Sequence, residues 1–155
     1  MLSFKDFPVG RRFDFPSRTV TAEEIVAFAR EFDPQPMHVD EAAGRASILG
    51  GLAASGWHTS AMMMRMLCDS YINNTAAEGS PGVSAMQWKR PVFAGDTLSG
   101  HCTVTEARLS RSRPEIGIVR FVAQVINQHG ETVALCDYAN MIRTEAREAA
   151  AHAHG

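Results

Sequence analysis

The stretch FDPQPMHVD, residues 32–40, sets a carboxylate and an imidazole five positions apart, Asp33 and His38. An ordinary aspartate is ionised near neutral pH, with a pKa of about 3.9, and an ordinary histidine titrates near about 6.5. Two such groups beside one water can take a proton from it and deliver a proton elsewhere. Pro34 and Pro36 predict an extended or turning segment rather than a helix. A stiff backbone narrows the reach of both side chains, which a positioned acid–base pair needs. The plain alternative is a helix stop at Asp33-Pro34 followed by a surface histidine.

A second stretch, LAASGWHTSAM, runs small residues straight into a long apolar segment at Gly56. The first turn of a helix leaves backbone N–H groups without partners, and these favour negative charge. A glycine there lets a substrate group approach the backbone closely. A thioester carbonyl becoming enolate-like fits such a place. Equally, Ser55 can simply cap the helix and Gly56 simply pack.

The elements that must carry these groups follow from pattern. Thr21 with Glu24 forms a capping box, and Ile25, Phe28, Ala29 and Phe32 recur at helical spacing, predicting a helix from about Ala22 to Phe32. VDEAAGRAS has room for a short helical turn. From Trp57 to about Ile72 nothing breaks a helix, and its density of methionine predicts burial on most sides. After Gly82 four segments read as strands: VSAMQWKRPVF, DTLSGHCTVTEARLS, IGIVRFVAQVINQ and ETVALCDYANMIR. The turns between them predict an antiparallel meander. The order of one entry strand, a helix, a long buried helix and four strands predicts an α+β layer fold. Residues 1–144 are expected to form one domain, and 145–155, alanine-rich, a helical extension or a disordered end.

The bulk numbers narrow the function classes. The chain has 155 residues, enough for one ordinary core, with 45% apolar and 21% charged residues and a net charge of -2. No basic run suggests nucleic acid or an anionic membrane as partner. Cys68, Cys102 and Cys136 are scattered and odd in number, so reduced thiols in a reducing, cytoplasmic compartment are expected. The N-terminus does not read as a signal peptide. His38, Asp40 and His58 lack the i, i+4 spacing of a helical metal site, so no metal is expected. Lys89 and Arg90 are open to two readings, a contact for the phosphates of a ligand or protection of an edge strand. Arg65 is expected to point outward and His58 to pack or face solvent.

Taken together, FDPQPMHVD, GGLAASGWHT and WKRPVFAGDTLSG resemble the MaoC-like dehydratases, the (R)-specific enoyl-CoA hydratases. Phe32, Asp33, Pro36, Met37 and His38 fall on that family's pattern of an aromatic followed by Asp-x-Asn-Pro-aliphatic-His. The resemblance runs from about Phe7 to Arg143. It implies a hot dog fold, a sheet wrapped round one long helix, and a homodimer or higher homo-oligomer with its sites near the subunit interface. It implies reversible hydration of a 2-enoyl-CoA thioester without a cofactor. Asp33 would act as base on the water, His38 would orient it and supply the proton to Cα, and the Gly56 N–H would hold the thioester oxygen. Gln35, Ser55, Trp57 and Met64 are the expected substrate-facing residues. Three positions depart from the pattern. Gln35 stands for Asn, Ser55 stands where many hydratases have His, and Met64 stands where some members have a serine supporting the Asp. A hot dog thioesterase and a non-catalytic thioester-binding module are the alternative readings.

Overall fold

The structure, a computed structural model, describes residues 1–146. Two short strands, β1 (Arg12–Asp14) and β2 (Arg18–Thr19), precede helix α1 (Ala22–Phe32). The Thr21 hydroxyl accepts from the Glu24 N–H at 3.2 Å, and the Glu24 carboxylate returns to the Thr21 N–H at 3.1 Å, so the capping box starts α1 as predicted. The turn α2 (Pro36–Val39) and the helix α3 (Glu41–Ala46) follow, then the long helix α4 (Gly56–Ser70). Four strands complete the chain: β3 (Val83–Trp88), β4 (Thr97–Leu109), β5 (Ile116–Ile126) and β6 (Thr132–Arg143).

All six strands belong to one antiparallel sheet, in the order β1-β4-β5-β6-β3 with β2 also on β4. β4, β5 and β6 form the expected meander. β3 does not: it leaves its sequence neighbour β4 and pairs with β6 at the far edge. The segment between β3 and β4 contains Pro91, and its Phe93 bridges Ala53 in the loop before α4. That crossing carries the chain from one edge toward the other and walls the start of α4.

The buried face of α4 shares a core with the sheet. Met62, Met63, Met66 and Leu67 pack with Val104, Val119, Phe121 and Val133. Burial covers one face rather than most sides, since Trp57, Ala61, Met64, Arg65 and Asp69 are exposed. Arg65 points outward and pairs with Asp69 at 2.9 Å, one helical turn on. At the other end, Phe7, Tyr71, Phe121 and Tyr138 stack or meet edge to face, and the Tyr71 hydroxyl donates to Asn140 Oδ1 at 2.6 Å. The buried hydroxyl thus keeps a partner. A six-stranded antiparallel sheet closed on one long helix is the hot dog fold.

Pro34 behaves as expected, but Pro36 corrects the reading of a brace without helix. Pro36 opens the single turn α2 at its first position. There the missing N–H would be unpartnered in any residue, and the fixed φ suits a helix. The tail expected from residue 145 lies almost wholly outside the described residues. Among the described residues no helix is long and apolar enough to cross a membrane.

His58 packs between α4 and α1, 6% exposed and stacked on Phe28 at 4.7 Å, and its Nδ1 has no partner among the described residues. Burial holds its pKa below the ordinary histidine value; the nearby Glu24 carboxylate opposes this and Arg18 adds to it. A group lowered in the folded state binds its proton more readily in the unfolded chain. Its stabilising effect is therefore complete above about pH 6.5 and is lost as pH falls through the folded value. Thermal melts at stepwise lower pH should show the wild type losing more stability than His58→Phe. Equal slopes would mean that His58 is not the source.

Candidate active site

Helix α1 ends by delivering Asp33. Its N–H donates to the Ala29 carbonyl at 2.8 Å as the helix cap, and the Gln35 N–H donates back to the Asp33 carbonyl at 2.8 Å over Pro34. This tight turn folds Gln35 onto Asp33. The turn α2 then places His38 inward, 6% exposed. Asp40 ends α2 and caps α3 by accepting from the Ala43 N–H at 2.8 Å, which leaves it no part in the pair. α3 packs closely on the loop leading to α4. A Cβ on Gly44 would lie 2.5 Å from the Gly51 carbonyl oxygen, so only glycine permits this approach.

That loop presents the Ala53 carbonyl to His38, with Nδ1 at 2.7 Å. A carbonyl only accepts, so Nδ1 carries the hydrogen and the neutral ring keeps its lone pair on Nε2. Nε2 faces Asp33 Oδ2 at 3.6 Å, beyond direct hydrogen-bond range. The two groups the sequence paired are therefore brought together as two acceptors with a gap between them.

Asp33 is held by two donors. The Ser55 hydroxyl, wholly buried, donates to Oδ2 at 2.6 Å, and the Gln35 amide donates to Oδ1 at 2.7 Å. These bonds, Ser55 first and Gln35 next, hold the carboxyl below its usual pKa; burial opposes, and His38 adds to them only when it is protonated. Ser55 also accepts the Trp57 N–H at 3.3 Å, so one side chain caps α4 and braces Asp33. The cap reading of Ser55 holds; wholly buried, it does not line the cavity and meets Asp33 rather than facing a substrate.

Gly56 is the first residue of α4, and no acceptor takes its N–H among the described residues. The indole of Trp88 lies flat against it, and a Cβ there would sit 2.5 Å from the ring. Trp88 Nε1 donates to Ser60 Oγ at 3.1 Å, and Ser60 Oγ donates to the Gly56 carbonyl at 3.1 Å, which locks the indole to the helix start. Trp57, 64% exposed, meets Trp88 edge to face with centroids 5.1 Å apart.

A cavity of about 380 Å³ opens over these groups. Asp33, Gln35, His38, Gly56 and Trp57 line it, and Ser55 stands behind Asp33. Met64 does not line it. Met64 lies two turns along from Trp57 on the outer face of α4, 46% exposed. The hydroxyl that supports Asp33 is that of Ser55. Lys89 and Arg90 do line the cavity, with Arg90 also paired to Glu131 at 3.0 Å. Trp88, Thr59 and the Ala53 carbonyl were not singled out from sequence. Trp88 sits beside the quoted Lys-Arg pair, but nothing local marks it as the neighbour of Gly56. A backbone carbonyl has no sequence signal at all.

Comparison with known proteins decides the family. The pattern described as MaoC like domain matches residues 5–126. The chain belongs to the MaoC-like dehydratase family. Among solved structures, this MaoC-like chain is similar to the MaoC-like dehydratase of Rhodospirillum rubrum, at 41% identity and a TM-score of 0.86 over 96% of this chain and all of that one (100%). It is similar to a monoamine oxidase regulatory protein from Archaeoglobus, at 27% identity and a TM-score of 0.83 over 93% of this chain and 95% of that one. The R-hydratase PhaJ1 of Pseudomonas aeruginosa shares the fold, at 20% identity and a TM-score of 0.73 over 99% of this MaoC-like chain and 96% of that one.

Proposed function

We propose that the protein adds water across the α,β double bond of an enoyl thioester, or removes it from the 3-hydroxyacyl thioester. The observation that carries this reading is the facing of two acceptors, Asp33 Oδ2 and His38 Nε2, at 3.6 Å in a cavity also lined by Gly56, whose N–H no acceptor takes among the described residues. A water between the acceptors gives one hydrogen to each and turns its lone pairs to the cavity. As its oxygen bonds to the β-carbon, the alkene electrons move through Cα to the thioester oxygen, where the Gly56 N–H and the start of α4 meet the charge. The pair takes one proton from the water and returns one to Cα. The enolate collapses, and no net proton is consumed. With Nδ1 committed to Ala53, His38 can receive and pass on a proton only through Nε2.

Coenzyme A is the expected carrier, as part of the substrate and not as a cofactor, with Lys89 and Arg90 at the cavity wall for its phosphates. The active form in this reading is a homo-oligomer. The free edge of β3 carries exposed Val83 and Trp88, a surface that a second copy joining sheet to sheet would cover.

Mixing the protein with crotonyl-CoA should bleach the ultraviolet absorbance of the conjugated thioester while a thiol-reactive dye stays colourless. Thiol release at the rate of bleaching would give the site to a thioesterase. Calorimetric binding without turnover would make it a binding module.

A further inference from the structure

The two donors on Asp33 differ in kind. Ser55 is wholly buried and fixed by its second bond to the Trp57 N–H. Gln35 is exposed, and its amide makes no other hydrogen bond among the described residues. The backbone turn over Pro34 brings Gln35 back onto Asp33, so the bond is built by the chain and not by chance approach of a long side chain. A glutamine reaching for an acyl chain would leave its amide free; here the amide is already used on the carboxylate. Its cost in lost side-chain freedom is substantial for an exposed residue, which a contact with no consequence would not offset.

Resting on the hydratase reading, we infer that Gln35 is a positioning residue that acts through Asp33: its amide fixes the carboxylate plane with Oδ2 toward His38 and restrains the basicity of that carboxylate, while the acyl chain binds elsewhere in the cavity. Of two donors, one is permanent and one is removable. The removable one adds to Ser55 in restraining how readily Asp33 accepts a proton from water. The other charged or titratable groups around the cavity are His38 on α2 and Lys89 and Arg90 after β3. Among them only His38 exerts a resolved pull on Asp33.

Two readouts test this in the intact protein. The first is the pH profile of kcat/KM for crotonyl-CoA in wild type and in Gln35→Ala, Gln35→Asn and Gln35→Glu. Losing the amide should move the acidic limb to higher pH in Gln35→Ala. A second carboxylate beside Asp33 should move it further in Gln35→Glu. Gln35→Asn, which keeps an amide, should bring the limb back toward wild type. A uniform loss at every pH with the limb unmoved, or a rise in KM alone, would make Gln35 a structural or substrate contact and overturn the inference. The second readout needs no turnover: the carboxyl ¹³C resonance of Asp33, followed with pH, should titrate at higher pH in Gln35→Ala than in wild type. If wild type hydrates nothing yet this shift appears, the hydratase reading fails and the positioning role stands. If the two proteins titrate alike, the positioning role fails whatever the reaction is.

Discussion

Asp33→Asn should lower crotonyl-CoA hydration by about 10²–10⁴-fold, the range for loss of a positioned acid–base group. Asparagine keeps the shape of the side chain and can still accept from Ser55. The helix cap at this position uses the backbone N–H to the Ala29 carbonyl, which the change leaves alone. Folding should therefore persist, as circular dichroism and the melting temperature would show. His38 calls for more care. Alanine there would leave the buried Ala53 carbonyl without its donor, at a cost of about 1–3 kcal/mol. His38→Gln, whose amide can still donate, is the better probe and should lose activity on a similar scale. If the two side chains work on one water, the double variant should be no slower than the worse single, because removing either already removes the unit. Single variants that hydrate at the wild-type rate would end the assignment.

Gly56→Ala should be the second large effect, and it acts through the neighbouring indole. A methyl group at position 56 would meet the Trp88 ring at 2.5 Å, well inside contact. The indole must leave its place, together with its bond to Ser60, or the start of α4 must shift. Overpacking of this kind costs about 1–3 kcal/mol. A displaced N–H at an oxyanion position costs about 10²–10³-fold in kcat. The two losses separate in the double variant Gly56→Ala/Trp88→Ala. Removing the ring relieves the clash, so the melting temperature should recover above that of Gly56→Ala alone. A Gly56→Ala protein with unchanged melting temperature and unchanged kcat would refute both the packing and the oxyanion role.

Much of this is legible in the sequence alone. Thr21 and Glu24 marked the start of α1 because a capping box is a contact across three residues. Asp33-Pro34 marked its end because proline restricts the residue before it. The meander β4-β5-β6 followed from alternation and turn chemistry, both short-range signals. The pairing of Asp33 with His38 was visible as two residue types on one stiff segment. The misreadings have physical reasons too. Pro36 can begin a helical turn as well as prevent one, and only its position in the turn decides which. Methionine density predicts burial of α4 on most sides, whereas one face, with Met64 and Arg65, turns outward.

The sequence by itself determined the groups that can do chemistry and the local elements that carry them, because capping, turns and periodicity act over a few residues. Tertiary structure decided how those groups work. Ser55 reaches Asp33 across 22 positions, the Ala53 carbonyl fixes the tautomer of His38 across 15, and Trp88 meets Ser60 across 28. β3 takes its place beside β6 and not beside β4. Contacts at such separations depend on which surfaces pack together to exclude water, a property of the whole chain that no short window of sequence contains.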